Sequence, residues 1–408
     1  MFDVLPLPFF LGQIASAAAP FGVETGLATN LSPGDFPTLA VAKTLAGPLQ
    51  MPYVEPNPGR SYVMQWNLSV QRELLPNLTA MIAYVGNRGV HMPFRSDDIN
   101  TVPPALTSAG YLWPNPALTS NNSRLSPNVG QMDDWAWNND SYFDALEVQI
   151  TKRMSHGLQV EGSYTWSKAI DGGDGSIASD AYVNAIPALF YFSPRYRRGP
   201  SDFNVTHNLT MNYLWNIPTP PSFSGPVAWV AGGWQLGGIF QVRSGLPFTP
   251  LISGDPLGLL SSTPEAYPNR LAGPGCGSQV NPGNVTNYLK LQCFGLPVST
   301  PVMAAQCVPF GTIAGTCSNL LGNGGRNEVY GPGMVDFDFS LVKNTKIKEN
   351  VTLQFRAEFF NLLNHSNFLS PINNSAVFDQ SGNPVGGAGL IDQTSTSSRQ
   401  IQFALKLI

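Results

Sequence analysis

Charge is what this sequence has least of. Asp, Glu, Lys and Arg together make up 12% of its 408 residues, about half the share usual in a soluble protein. The 22 Lys and Arg residues are scattered and the formal net charge is −4, so a nucleic-acid partner is excluded. Long apolar runs are also missing: none reaches the roughly 18 residues that a membrane-spanning helix requires. His91, His156, His207 and His365 lie far apart. No His-Glu-x-x-His helix, Gly-x-Ser-x-Gly elbow or phosphate-binding loop is present. No enzyme, cofactor or metal centre is therefore expected. The opening twenty residues lack Lys and Arg ahead of their apolar part, carry Asp3 there, and are interrupted by Pro6 and Pro8. They do not read as a signal peptide.

What is present suits strands joined by turns. There are 40 Gly and 36 Pro, aromatics reach 11%, and mean hydropathy is −0.04, high for so little charge. A β-barrel in a membrane reconciles these values, because it spreads lipid-facing side chains over every second position. All four cysteines, Cys276, Cys293, Cys307 and Cys317, fall in one segment rich in Gly, Pro and Asn. Such a segment has little else to hold its shape, so disulfides are expected there, with three pairings open and an oxidising compartment implied. A zinc site fits worse, for want of a Cys-x-x-Cys pair or a nearby His.

Alternation with period two recurs about nine times. Tyr62, Met64, Trp66, Leu68 and Val70 share one face while Gln65, Asn67, Ser69 and Gln71 share the other, the spacing of a half-buried strand. The same pattern places together Leu78, Ala80, Ile82 and Tyr84; then Leu146, Val148 and Ile150; then Leu158, Val160, Tyr164 and Trp166. It returns in Leu209, Met211, Tyr213 and Trp215, and in Trp234, Leu236, Phe240 and Val242. Near the end come Val335, Phe337, Phe339 and Leu341; Val351, Leu353, Phe355, Ala357 and Phe359; and finally Ile401, Phe403, Leu405 and Leu407.

The connections alternate in length as well. Short ones run from about 72 to 77, 154 to 157, 218 to 232 and 345 to 350; long ones from about 88 to 141, 169 to 203, 246 to 334 and 365 to 396. Outer-membrane barrels have short periplasmic turns and long extracellular loops, whereas a soluble sandwich has no reason for that asymmetry. Nine strands is an odd number, and a complete bacterial barrel has an even one. Either one strand lies before residue 60, or the chain starts in mid-barrel, with residues 1–60 a loop-like segment that fits an extracellular loop and 61–408 the barrel portion.

Seven stretches carry a resemblance: YVMQWNLSVQRELLPNLTAMIAYVGNRGVHM (62–92), YFDALEVQITKRMSHGLQVEGSYTWSKAID (142–171), RRGPSDFNVTHNLTMNYLWNIP (197–218), GGWQLGGIFQVRSGLPFT (232–249), RNEVYGPGMVDFDFSLVKNTKI (326–347), LQFRAEFFNLLNHSNF (353–368) and RQIQFALKLI (399–408). In this order they resemble the C-terminal half of Oar-like TonB-dependent transporters. The resemblance implies an all-β fold: an antiparallel transmembrane β-barrel of which this chain supplies about 9–10 strands out of roughly 22, the number typical of plugged outer-membrane transporters. It implies residence in the cell outer membrane, contact with its lipid, a plug domain and the TonB complex as partners, and insertion by the barrel-assembly machinery. The transported ligand is not implied. Two readings compete: a self-contained porin-like or structural barrel, and a soluble secreted all-β binding module.

Charges on the polar strand faces, Glu147, Glu161, Arg243, Arg356 and Glu358, are candidates to face the lumen, where they are solvated or touch the plug. Asp171 with Asp174, and Asp336 with Asp338, are candidates to hold Ca²⁺ at a loop, but their spacing is loose and the favoured reading is a solvated loop, while NGGRN (323–327) reads as a turn.

Overall fold

The computed structural model describes residues 53–96, 98–115, 125, 132, 134–173, 193–259, 266–305, 316–372 and 375–408. Nine long strands dominate it: β1 (Tyr62–Leu75), β2 (Leu78–Ser96), β3 (Asp134–Ser155), β4 (Leu158–Asp171), β5 (His207–Asn216), β6 (Trp234–Arg243), β7 (Met334–Lys348), β8 (Val351–Phe360) and β9 (Gln400–Leu407). They form one sheet in chain order, each antiparallel to the next. The expected 1–60 segment falls almost wholly outside the described residues.

The register places every alternating apolar set on one face. A single cross-strand row runs Leu68↔Tyr84↔Leu146↔Trp166, and another runs Tyr213↔Gly238↔Phe339↔Phe359↔Ile401. Aromatics on this face meet from strand to strand, with ring centroids 6.0 Å apart for Phe240 and Phe337 edge to face, 6.0 Å for Phe339 and Phe359 tilted, and 6.2 Å for Phe355 and Phe403 stacked. The face is not covered by protein: Leu68 is 72% exposed and Leu405 69%. Water does not tolerate so large a contiguous apolar surface on a monomer, whereas lipid does.

Turn chemistry explains the tight ends. The connection between β3 and β4 is His156–Gly157, with φ of 50° and 78°. Two successive positive φ values are what a two-residue hairpin of the type matching strand twist requires. Strands β5, β6 and β8 have 10 residues each, enough to cross the hydrocarbon at about 9–11 residues. Strands β2 and β3 have 19 and 22 and continue to Ser96 and from Asp134, farther than the sequence pattern suggested. Backbone pairing carries on beyond the lipid, where nothing enforces alternation.

The main hydrophobic cluster lies in the long connections rather than in the nine long strands. Trp113, Phe248, Ile252, Tyr267, Leu289 and Val377 are each at most 2% exposed and belong to one cluster. Three connections build it together: Gly110–Asn115 pairs with Thr316–Leu320, Pro247–Phe248 with Val329–Tyr330, and Leu251–Ile252 with Ala376–Phe378. This corrects the expectation that the cysteine-bearing segment has only disulfides to shape it. Cys276 and Cys293 are bonded, with 5.4 Å between their Cα atoms. Cys317 is also disulfide-bonded and packs, fully buried, with Leu112 and Leu320; Cys307 lies outside the described residues.

Candidate functional site

The polar face of the sheet carries the charges singled out from sequence, and the sheet spreads them apart. Glu147 on β3 stands between Ala83 and Thr165. Glu161 on β4 stands between Thr151 and Asn212, and its carboxylate accepts a hydrogen bond from Gln149 Nε2 at 2.9 Å. Arg243, at the loop end of β6, stands between Asn208 and Met334. Arg356 and Glu358 are neighbours on β8, with Nη1 3.7 Å from Oε1, and Arg356 Nε donates to Gln354 Oε1 at 2.7 Å. The acidic pair on β3 and β4 is thus four strands from the ion pair on β8, and no single charged cluster forms on this face among these five residues. The arrangement is a polar wall on which these charges stand among amide, hydroxyl and small side chains.

A tighter polar assembly sits where the loop layer meets the strands. Arg326 Nη1 donates to Asp171 Oδ1 at 2.6 Å, and Nη2 lies 3.6 Å from Asp202 Oδ1. Asn327 Nδ2 donates to the same Asp202 carboxylate and to Pro200 O. The Asn327 amide N–H donates to Thr249 Oγ1 at 2.8 Å. Beside them, Asn204 accepts from the Ala169 amide through Oδ1 at 2.7 Å and donates from Nδ2 to the Tyr330 hydroxyl at 3.1 Å. Arg326 is 6% exposed, Asp202 1%, and Asn327 and Thr249 are fully buried. One guanidinium therefore ties the end of β4 and the turn before β5 to the connection between β6 and β7. Asp171, read from sequence as solvated, is instead buried in this ion pair; Asp174 lies outside the described residues. The signal that went unused is the presence of Asp and Arg within Gly-rich turns of a chain that otherwise avoids charge.

Next to this latch, a cavity of about 450 Å³ opens along the outer ends of β2–β4, lined by Tyr84, Asp144, Trp166, Lys168, Asn204 and Tyr330 among others. Tyr84 donates its hydroxyl to Asp144 at 2.5 Å. Deeper in the loop layer, burial pushes the Tyr288 hydroxyl up to about 12 from 10, and its O–H donates to Tyr330 O at 2.9 Å. A pKa raised by folding contributes stability in full below the unfolded value and loses it as pH climbs through the folded one. The loop layer is accordingly expected to loosen between pH 10 and about 12. Tyr288→Phe should shrink that alkaline step, leaving the part due to Tyr330, which burial also raises, while costing about 1 kcal/mol at neutral pH for the lost hydrogen bond. Near-ultraviolet circular dichroism against pH checks this, and an unaltered alkaline step in the variant contradicts it.

No curated protein matches the sequence. Among solved structures, the outer membrane transporter YddB from Escherichia coli is similar at 8% identity and TM-score 0.40, over 89% of this chain and 34% of that one. The ferric preacinetobactin receptor BauA from Acinetobacter baumannii is similar at 10% identity and TM-score 0.35, over 85% and 29%. The copper transporter OprC is similar at 10% and 0.31, over 84% and 30%. This chain therefore spans about a third of the length of each. The family model described as outer membrane beta barrel domain matches residues 7–402, and with its open apolar face, polar opposite face and long connections gathered at one end, the chain belongs to that outer-membrane barrel family.

Proposed function

We propose that the chain forms part of the barrel wall of an Oar-like TonB-dependent transporter or receptor, in energised uptake of a bulky ligand or a surface-protein role, and that it is not an enzyme. The observation that carries this reading is the state of the sheet edges. Strand β1 is exposed along all 14 of its residues, β9 is exposed at all but one of its positions, and among the described residues neither pairs with the other. Unsatisfied backbone groups cost several kcal/mol each in hydrocarbon, which supports a sheet that continues into further strands. In the complete barrel, Glu147, Glu161, Arg243, Arg356 and Glu358 would face the lumen and the plug domain, the TonB complex would act on that plug, and the barrel-assembly machinery would insert the whole. A soluble secreted module is disfavoured by the uncovered apolar face.

The test is to read the genomic DNA ahead of the Met1 codon in all frames. A plug domain and further alternating strands, in frame or one shift away, are the expected result. A promoter and ribosome-binding site directly before Met1 would overturn the reading in favour of a self-contained porin-like barrel.

A further inference from the structure

Where β2 and β3 rise past the lipid, three arginines gather around two aromatic rings. Arg88 lies over the Tyr142 ring at 5.0 Å and Arg198 over the same ring at 4.8 Å, while Arg197 lies over Phe94 at 4.6 Å. Arg197 is 3% exposed, yet its hydrogen bonding is thin. Both Nη atoms share the single Asn138 Oδ1, at 3.3 and 3.4 Å, and its Nε has no hydrogen-bond partner. No ion pair reaches it among the described residues. Asp134 acts on it only through space, and burial and Glu55 raise the pKa of the Asp134 carboxyl against the pull of Arg197. The Nε of Arg88 is likewise buried without a partner, and its contact with Asp140 is a long 3.8 Å. Arg88 and Arg198 are not buried, but buried charges in folded proteins are paired, and among the described residues Arg197 has no counter-charge in direct contact.

The space for one is present. A recess of about 130 Å³ is lined by Asn138, Asn139, Asp140, Tyr142, Gly172, Arg197 and Arg198. At roughly 30 Å³ per water molecule, it holds a few waters or one compact anion, with two guanidinium groups against one carboxylate in its wall. Planar guanidinium forks match the oxygen geometry of phosphate, and the amide N–H groups of the two asparagines add neutral donors. We propose that this recess is an oxyanion site of the phosphate class, with Arg197 and Arg198 as its charged donors and Arg88 holding Tyr142 from the other side. Its height on the sheet, at the loop ends of β2 and β3, puts it within reach of both a lipid headgroup and a soluble phosphate.

The experiment uses the full chain extracted from outer membranes in a zwitterionic detergent. Inorganic phosphate is titrated by calorimetry, and retention of lipid A is read by native mass spectrometry. Arg198→Ala alters an exposed side chain, and Arg197→Lys keeps the charge but loses the fork; migration on unheated gels reports folding of both. Saturable phosphate binding, weakened at least tenfold in both variants, supports the site and assigns it a soluble oxyanion. Retention of lipid A by the native chain alone supports it and assigns a headgroup. Absence of both from the native chain, or binding that is equal in native and folded variant chains, overturns it.

Discussion

Arg326→Met is expected to release the loop layer from the barrel wall at a cost of about 3–5 kcal/mol, the range for removing one partner of a buried ion pair. The size follows from what is left behind. Asp171 and Asp202 are 7% and 1% exposed, so without the guanidinium two carboxylates stay buried, Asp202 held by Asn327 and Asp171 by the Gly173 amide. The variant should keep its heat-resistant migration on unheated gels, because the hydrogen bonding of β1–β9 is untouched, while its 244–333 connection becomes sensitive to protease. Replacing all three charges together, as R326M/D171L/D202L, should recover much of the loss, since a buried ion triad exchanged for apolar groups of similar volume is often neutral. Protease resistance equal to that of the native chain in the single variant would show that the hydrophobic cluster alone holds the loops.

The second large effect lies in the wall itself. Phe339 is near the middle of the β7 apolar stretch, opposite Gly238 on one side and Phe359 on the other. Phe339→Arg places a charge in the hydrocarbon and should cost about 2–4 kcal/mol of folding stability in bilayers. Its chain neighbour Ser340, opposite Gly237 and Glu358, points to the polar face, and Ser340→Arg should change stability little. Urea titration in phosphatidylcholine vesicles separates the two. Equal destabilisation by both arginines would contradict the assignment of faces.

The wall was legible in the amino-acid sequence because lipid imposes one rule along every strand. Leu68, Tyr84, Leu146 and Trp166 come from four strands and share no local motif, yet period two alone places them in one row. The loop layer obeys no such rule. Phe248, Ile252, Tyr267 and Leu289 are all buried, but at irregular spacing on connections that change direction at nearly every Gly or Pro, so neither a period of two nor one of 3.6 brings them out. Asp171 misled for a related reason. A carboxylate next to a Gly-rich turn is usually solvated, and its partner Arg326 is 155 residues away. The extension of β2 to Ser96 and of β3 back to Asp134 was equally hidden, because pairing outside the membrane rests on backbone hydrogen bonds that leave no hydropathy pattern. The five charges were picked out by the alternation of their strands, whereas their separation across β3, β4, β6 and β8 depends on strand order.

The most direct measurement is site-by-site fluorescence in outer-membrane vesicles, with single labelled cysteines at Leu68, Phe339 and Leu405 on one face and at Asn67, Ser340 and Lys406 on the other. The account predicts quenching by spin-labelled lipid at the first three and by a water-soluble quencher at the second three. Water quenching in both registers would contradict a membrane-spanning sheet.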